Sequence, residues 1–316
     1  MPVLGVDIGG TKTIVAVADN GGCILAQAKI STPREQGPAA VLSEIESTLK
    51  RLVEEAGIEP GEIQGLGIGC GGPLDRDRGV ILTAPNLPGW DNLPLAEYFE
   101  TAFHVPAYLD NDVNLAALGE ARKGAGVGVD HFAYFNIGTG IGGGIIIDGR
   151  LYRGCGNAGE FGHQTILPDG PECLCGRRGC LESLASGTSI ARRAREQLSD
   201  YPESLVLRYA GDADTITAEY VFKAALDGDL LARRIWKETA EYLGLGIANV
   251  VNILNPRRVI LGGGVVKAGD LLLDEVRRTV KERAMAQLAR DVEIVPGVLG
   301  DQAGILGAIY LALGRD

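Results

Sequence analysis

The apolar positions near the N-terminus come in short runs broken by glycine. VLGVDI (3–8), TIVAVAD (13–19) and CILAQAKI (23–30) are separated by GGTK and NGG, a spacing that predicts three consecutive strands. The plan returns between His131 and Arg153, where FAYFNI leads into GTGIGG, then GIII, a DG turn and RLYR. One strand and glycine-turn unit therefore occurs twice, which predicts an internal duplication. Between the copies the period lengthens. Val41, Leu42, Ile45, Leu49, Leu52, Val53 and Ala56 fall on one face of a helix, followed by the strands IQGLGIG (63–69) and PAYLD (106–110) and a helix from Asp112 to Lys123. After the second copy come a polar loop and several helices, the longest from Leu230 to Leu254. The strand RRVILGG (257–263), a further helix, the strand VEIVP (292–296) and a helix from Gln302 to Leu313 follow. Strands alternating with helices in each half predict an α/β architecture with covered sheet faces.

Composition sharpens this picture. A chain of 316 residues, 46% hydrophobic, can bury a large core and favours two domains over one. Its 46 glycines are about twice the usual share and cluster in turns, where positive φ or close approach to a ligand is needed. A net charge of -11 argues against a nucleic-acid partner, which would require a basic face. There is no apolar run of about 18 residues and no basic-then-apolar leader, so neither a membrane span nor export is expected and a cytoplasmic address is. Of six cysteines, Cys23, Cys70 and Cys155 stand alone, while Cys173, Cys175 and Cys180 crowd one loop. Reduced thiols and a metal fit that distribution better than a disulfide scaffold.

Four segments could carry chemistry. In DIGGTKT (7–13), Gly9 and Gly10 let backbone N–H groups approach a polyphosphate, Thr11 and Lys12 can donate to it, and Asp7 can organise Mg²⁺. A tight hairpin with a surface lysine is the plainer reading, and a Walker A loop is excluded because the glycine-to-lysine spacing is wrong and a strand, not a helix, follows. NIGTGIGGG (136–144) holds a formal GxGxxG in Gly138, Gly140 and Gly143, but a strand and not a helix follows, against a dinucleotide fold. Two such turns, with Thr139 in the second, suggest two loops gripping one nucleotide.

DNDVNLAALGE (110–120) ends a strand and opens a helix. Either Asn111 or Asp112 could be the N-cap, and a carboxylate at the carboxyl end of a strand can accept a substrate proton. GNAGEFGH (156–163) with CLCGRRGCLE (173–182) supplies His163, Cys173, Cys175 and Cys180, a closed tetrahedral set of the kind that holds a structural Zn²⁺. Glu160 and Glu182 bracket that loop, and carboxylates fixed there could accept hydrogen bonds from vicinal diols. His104 and His131 carry no motif and read as surface or packing residues.

These segments, with GPL, LGGGV and the closing GDQAGILGAIYLAL, resemble the ROK family (repressors, open reading frames, sugar kinases) over nearly the whole chain, and within it the ATP-dependent glucokinases. The resemblance implies an actin-like ATPase (hexokinase-type, ribonuclease H-like) fold, with two lobes, a duplicated unit and a central cleft. The small lobe would comprise 1–118 plus 302–316, and the large lobe 119–301 with the zinc-binding loop. It implies phosphorylation of glucose to glucose 6-phosphate with Asp112 as base and Asn86, Asn111, Glu160, His163 and Glu182 around the sugar, His163 touching both zinc and sugar. The turns holding Gly9, Gly10, Thr11 and Lys12 and Gly138, Thr139 and Gly140 would hold the phosphates of ATP with Mg²⁺ near Asp7. Gly263, between Gly262 and Gly264, would approach the adenosine.

A homodimer or homotetramer is the family expectation. Asp110, where many relatives carry glutamate, is a departure. N-acetylglucosamine, N-acetylmannosamine, mannose or fructose are alternative acceptors. A sugar-responsive regulator is the remoter alternative, because its helix-turn-helix would precede a body whose first strand here begins at about Val3.

Overall fold

The computed structural model describes residues 1–84 and 86–316. The strands are β1 (Val3–Ile8), β2 (Lys12–Ala18), β3 (Ile24–Ser31), β4 (Leu66–Cys70), β5 (Leu74–Asp75), β6 (Val80–Ile81), β7 (Ala107–Asn111), β8 (Phe132–Ile137), β9 (Ile141–Ile147), β10 (Arg150–Leu151), β11 (Arg258–Gly262) and β12 (Glu293–Pro296). The helices are α1 (Pro38–Glu55), α2 (Leu95–Phe103), α3 (Asp112–Lys123), α4 (Leu181–Ala185), α5 (Gly187–Gln197), α6 (Leu205–Ala210), α7 (Ala218–Leu226), α8 (Leu230–Leu254), α9 (Asp270–Arg283), α10 (Ala286–Asp291) and α11 (Ala303–Ala312).

The duplication read from the glycine turns is realised as two sheets of one topology. The first has the order β3-β2-β1-β4-β7 and the second β10-β9-β8-β11-β12, so each runs 3-2-1-4-5 in its own strand order. In the first sheet β2 is antiparallel to its neighbours β1 and β3, whereas β1, β4 and β7 are parallel. That parallel trio aligns Asp7 with Gly69 and Asp110, and Ile8 with Cys70 and Asn111. The carboxyl ends of the three strands therefore finish together, the place where open α/β sheets gather ligands.

The chain forms two compact units, one of residues 1–130, 144–158 and 298–316, the other of residues 131–143 and 159–297. Helix α3 stays with the first unit over its full length, because Arg122 near its end donates to the carbonyls of Gly149 and Arg315.

In the first unit α1 buries Val41, Leu42, Ile45, Leu49, Leu52 and Val53, as its period requires, against β2 and β3. Each such side chain withdrawn from water contributes about 1.5–3 kcal/mol before the entropy of ordering is counted. On the other face α11 packs against β1, β4 and α3. The approach to α3 is so close that a β-carbon on Gly307 would lie 1.8 Å from the Leu115 carbonyl oxygen. Glycine there is a packing requirement. In the second unit α8 buries one long face, including Leu231, Ile235, Trp236, Leu243 and Ile247, and packs against α4, α5, α7 and α9. Among the described residues, no helix is long and apolar enough to cross a membrane.

Candidate active site

The first glycine turn is closed by a hydrogen bond from Gly9 N to the Lys12 carbonyl at 3.0 Å and buttressed by Thr32, whose hydroxyl donates to the Gly9 carbonyl at 2.8 Å. Asn86 lies against it, since a β-carbon on Gly10 would come within 3.0 Å of Asn86 Cβ. Lys12 Nζ donates to Asp301 Oδ2 at 2.6 Å, and Lys29 Nζ reaches the same oxygen at 3.2 Å. These two ammonium groups hold the Asp301 carboxyl below its ordinary range. Asp7 behaves oppositely. Part of its surface meets solvent, yet protein packed around the carboxylate desolvates it, and together with the nearby charge of Asp112 this pushes its pKa up to about 7.

Of the two candidate caps of α3, Asn111 is the one used. Its side chain accepts from Val113 N at 2.9 Å and Asn114 N at 3.3 Å, which leaves Asp112 as the first helical residue, its Oδ1 3.0 Å from Val113 N. Asp110 is buried, and a buried carboxylate is tolerable only when fully partnered. It accepts from Arg153 Nε at 2.6 Å, Asn114 Nδ2 at 3.0 Å and Asn111 N at 2.8 Å, with Arg76 Nε 3.6 Å away. Arg153 in turn pairs with Asp316 at 2.7 Å. This network fixes the strand end from which Asn111 and Asp112 project.

The second unit carries the cysteine cluster. The ligand atoms of His163, Cys173, Cys175 and Cys180 all lie within 4.8 Å of one another. Cys175 Sγ and Cys180 Sγ are 3.6 Å apart, and Cys173 Sγ is 3.7 Å from His163 Nδ1. Tetrahedral bonds of about 2.3 Å would put sulfurs roughly 3.8 Å apart, so the donor set fits Zn²⁺ in number, type and spacing. The loop wraps through bonds from Gly176 N to the Cys173 carbonyl and from Cys173 N to the Arg177 carbonyl, with Gly176 at φ 80° and Gly179 at φ 67°. The far side of the His163 ring is directed toward Glu160, with Nε2 3.9 Å from Oε2. Phe161, between them, stacks on Phe135 of β8 at 4.6 Å and anchors the segment.

The second glycine turn lies in the same unit. Gly138 N donates to the Gly140 carbonyl at 2.9 Å. Glu182 does not stand clear in solvent: its Oε2 accepts from Ile141 N at 2.8 Å, and a β-carbon on Gly140 would lie 2.4 Å from that oxygen. Gly263 has φ 90° and sits so close to β8 that a β-carbon would meet the Ile137 carbonyl oxygen at 2.4 Å, which restricts the position to glycine on both counts. Cys23 and Cys155 are exposed free thiols and Cys70 a buried one. His104 caps the end of α2 in the left-handed region, and His131 is exposed.

The model of the ROK family matches residues 3–315. The chain belongs to the ROK family. It is 38% identical to a glucokinase of Halalkalibacterium halodurans over 98% of this chain and 94% of that protein. A solved ROK family glucokinase from Streptomyces griseus, in complex with glucose and AMPPNP, superposes with a TM-score of 0.84 at 36% identity, covering 99% of each chain. A xylose repressor of Caldicellulosiruptor bescii is 33% identical over 98% of this chain but 78% of its own length.

The two 3-2-1-4-5 sheets are accordingly those of the actin-like ATPase fold of ROK sugar kinases. The first unit contains Asp7, Gly9, Gly10, Thr11, Lys12, Asn86, Asn111 and Asp112, and the second contains Gly138, Thr139, Gly140, Glu160, His163, Glu182, Gly263 and the three clustered cysteines. Sequence reasoning missed Asp301, although it lies in the closing ROK segment GDQAGILGAIYLAL. It also missed Arg76 and Arg153, for which no local pattern gives a signal.

Proposed function

We propose that the protein is an ATP-dependent glucokinase that converts glucose to glucose 6-phosphate. The observation that carries this reading is full-length similarity to glucokinases, one of them solved with glucose and an ATP analogue, in a chain that keeps a carboxylate at position 112 and both glycine turns. In this reading Asp112 takes the proton of the 6-hydroxyl as that oxygen attacks the γ-phosphorus in line, forming the new O–P bond while the bond to the ADP oxygen breaks. Such transfers depend mainly on positioning and charge neutralisation.

Asn86, Asn111, Glu160, His163 and Glu182 would hold the hexose hydroxyls. The backbone of Gly9, Gly10, Gly138 and Gly140, with Thr11, Lys12 and Thr139, would hold phosphates, and Gly263 the adenosine. Mg²⁺ would neutralise phosphate charge when bound, and Asp7 would help to hold it. Zn²⁺ on His163, Cys173, Cys175 and Cys180 would be structural, with His163 turning Nδ1 to the metal and Nε2 to the sugar. A cytoplasmic address, a homodimeric or homotetrameric assembly and lobes divided as the resemblance implies belong to the same reading.

The test is release of ADP from Mg·ATP with glucose, mannose, N-acetylglucosamine, N-acetylmannosamine and fructose, each at sub-saturating concentration so that rates compare kcat/KM. Preference for glucose is expected. Preference for an acetamido sugar or fructose would move the substrate, and no turnover in zinc-loaded protein would favour a sugar-responsive regulator.

A further inference from the structure

The segment that leaves the last cysteine of the metal set returns to grip the second glycine turn at both ends. Cys180 is the N-cap of α4, and two residues on the Glu182 side chain accepts from Ile141 N at 2.8 Å, just beyond the turn. After α4, Gly187 N donates to the Gly138 carbonyl at 2.8 Å and the Thr188 hydroxyl donates to the Thr139 carbonyl, also at 2.8 Å. The grip is itself braced, because Ser189 Oγ donates to the Glu182 carbonyl at 2.7 Å and Ser186 Oγ lies 2.9 Å from the Thr188 hydroxyl.

A turn of Gly138, Thr139 and Gly140 has little rigidity of its own, since glycine loses more backbone freedom on ordering than any other residue. Anchoring the carbonyls from behind has a directional consequence. In a trans peptide the C=O of one residue and the N–H of the next point opposite ways, and the described chain has no cis bond. With the Gly138 and Thr139 carbonyls held toward the start of α5, the N–H groups of Thr139 and Gly140 are aimed away from it, as a pair of donors for an anion.

We infer that Thr188, with Glu182 and Gly187, is a positioning residue for nucleotide phosphate: it acts through the Gly138–Gly140 turn and touches no substrate. This rests on the kinase reading, in which that turn binds ATP. Thr188 is the clean probe, because Glu182 is also proposed to hold sugar and Gly187 acts through its backbone. Preorganised donors bind without a further ordering loss, so loosening the turn should weaken nucleotide and spare sugar.

The experiment measures binding of AMPPNP with Mg²⁺, and separately of glucose, by calorimetry on zinc-loaded full-length wild type, Thr188→Val, Thr188→Ser and Gly138→Val. Thr188→Val should raise the AMPPNP Kd about fivefold or more, as expected for one lost hydrogen bond, with the glucose Kd unchanged. Thr188→Ser, which keeps the hydroxyl, should restore the wild-type value. An unchanged AMPPNP Kd in Thr188→Val, or equal weakening of both ligands, overturns the inference. The kinase reading is tested apart from it: Gly138→Val, at a position with open space for the side chain, should block the nucleotide. If it does not, or if wild type binds glucose and no AMPPNP, the turn is not a nucleotide site and the assignment of Thr188 falls with it.

Discussion

Asp7 and Asp112 meet across Gly69. A β-carbon at Gly69 would lie 3.5 Å from Asp7 Oδ1 and 3.7 Å from Asp112 Cα, ordinary contact distances that place both aspartates beside this glycine of β4 at one strand end, whereas its tight contact, at 3.0 Å, would be with Leu115 Cδ1. Burial raises the Asp7 pKa first and the charge of Asp112 raises it further, whereas Lys12 opposes them. Lys12 is itself engaged by Asp301, and that pair is open to solvent on both sides, which limits its worth to about 1 kcal/mol or less.

The elevated Asp7 pKa makes stability depend on pH in a definite sense. Its ordinary value of 3.8 rises to about 7 on folding. Across that interval the folded protein holds a proton the unfolded chain has released, so stability falls as pH rises from about 4 to 7 and the loss is complete above 7. Asp7→Asn removes the group that titrates. Without added Mg²⁺, its thermal stability relative to wild type should improve from about pH 5 to about pH 7 and level off above that. A difference that stays flat over this range would mean that Asp7 ionises as an ordinary carboxylate.

Asp112→Asn preserves shape and removes the proposed base. Turnover should drop about 10²-fold or more, the usual range for a lost general base, while glucose affinity measured by calorimetry stays near wild type. Near-normal turnover in this variant would remove Asp112 from the chemistry.

Loss of the metal should act on sugar and stability together. Glu160 and Glu182 are held by the segments that supply His163 and Cys180, so Cys175→Ser or chelated protein should bind glucose about tenfold more weakly or worse and unfold at lower temperature. Verified metal-free protein with unchanged glucose affinity would separate the knot from the sugar-binding side chains.

What could be read along the chain was whatever is encoded over a few residues. Alternation and glycine spacing specified the duplicated strand unit, the helical period picked out the buried face of α1, and α3 and α8 begin and end where their signals lie. The His–Cys set was legible because its four donors fall within eighteen residues of chain, short enough for one loop to gather them. The choice of Asn111 over Asp112 as cap was not: both types cap well, and only the backbone course into α3 selects between them.

The sequence by itself thus determined the elements, the duplication and the candidate chemistry, because periodicity and local motifs state how a residue is oriented within its own element. Only the tertiary structure decided which residues meet. Asp301 reaches Lys12 from 289 positions away, Arg153 reaches Asp110 from 43 and Thr188 reaches Thr139 from 49. Such pairings depend on strand order and on how closely helices approach one another, and a residue's own neighbours in the chain carry no record of either.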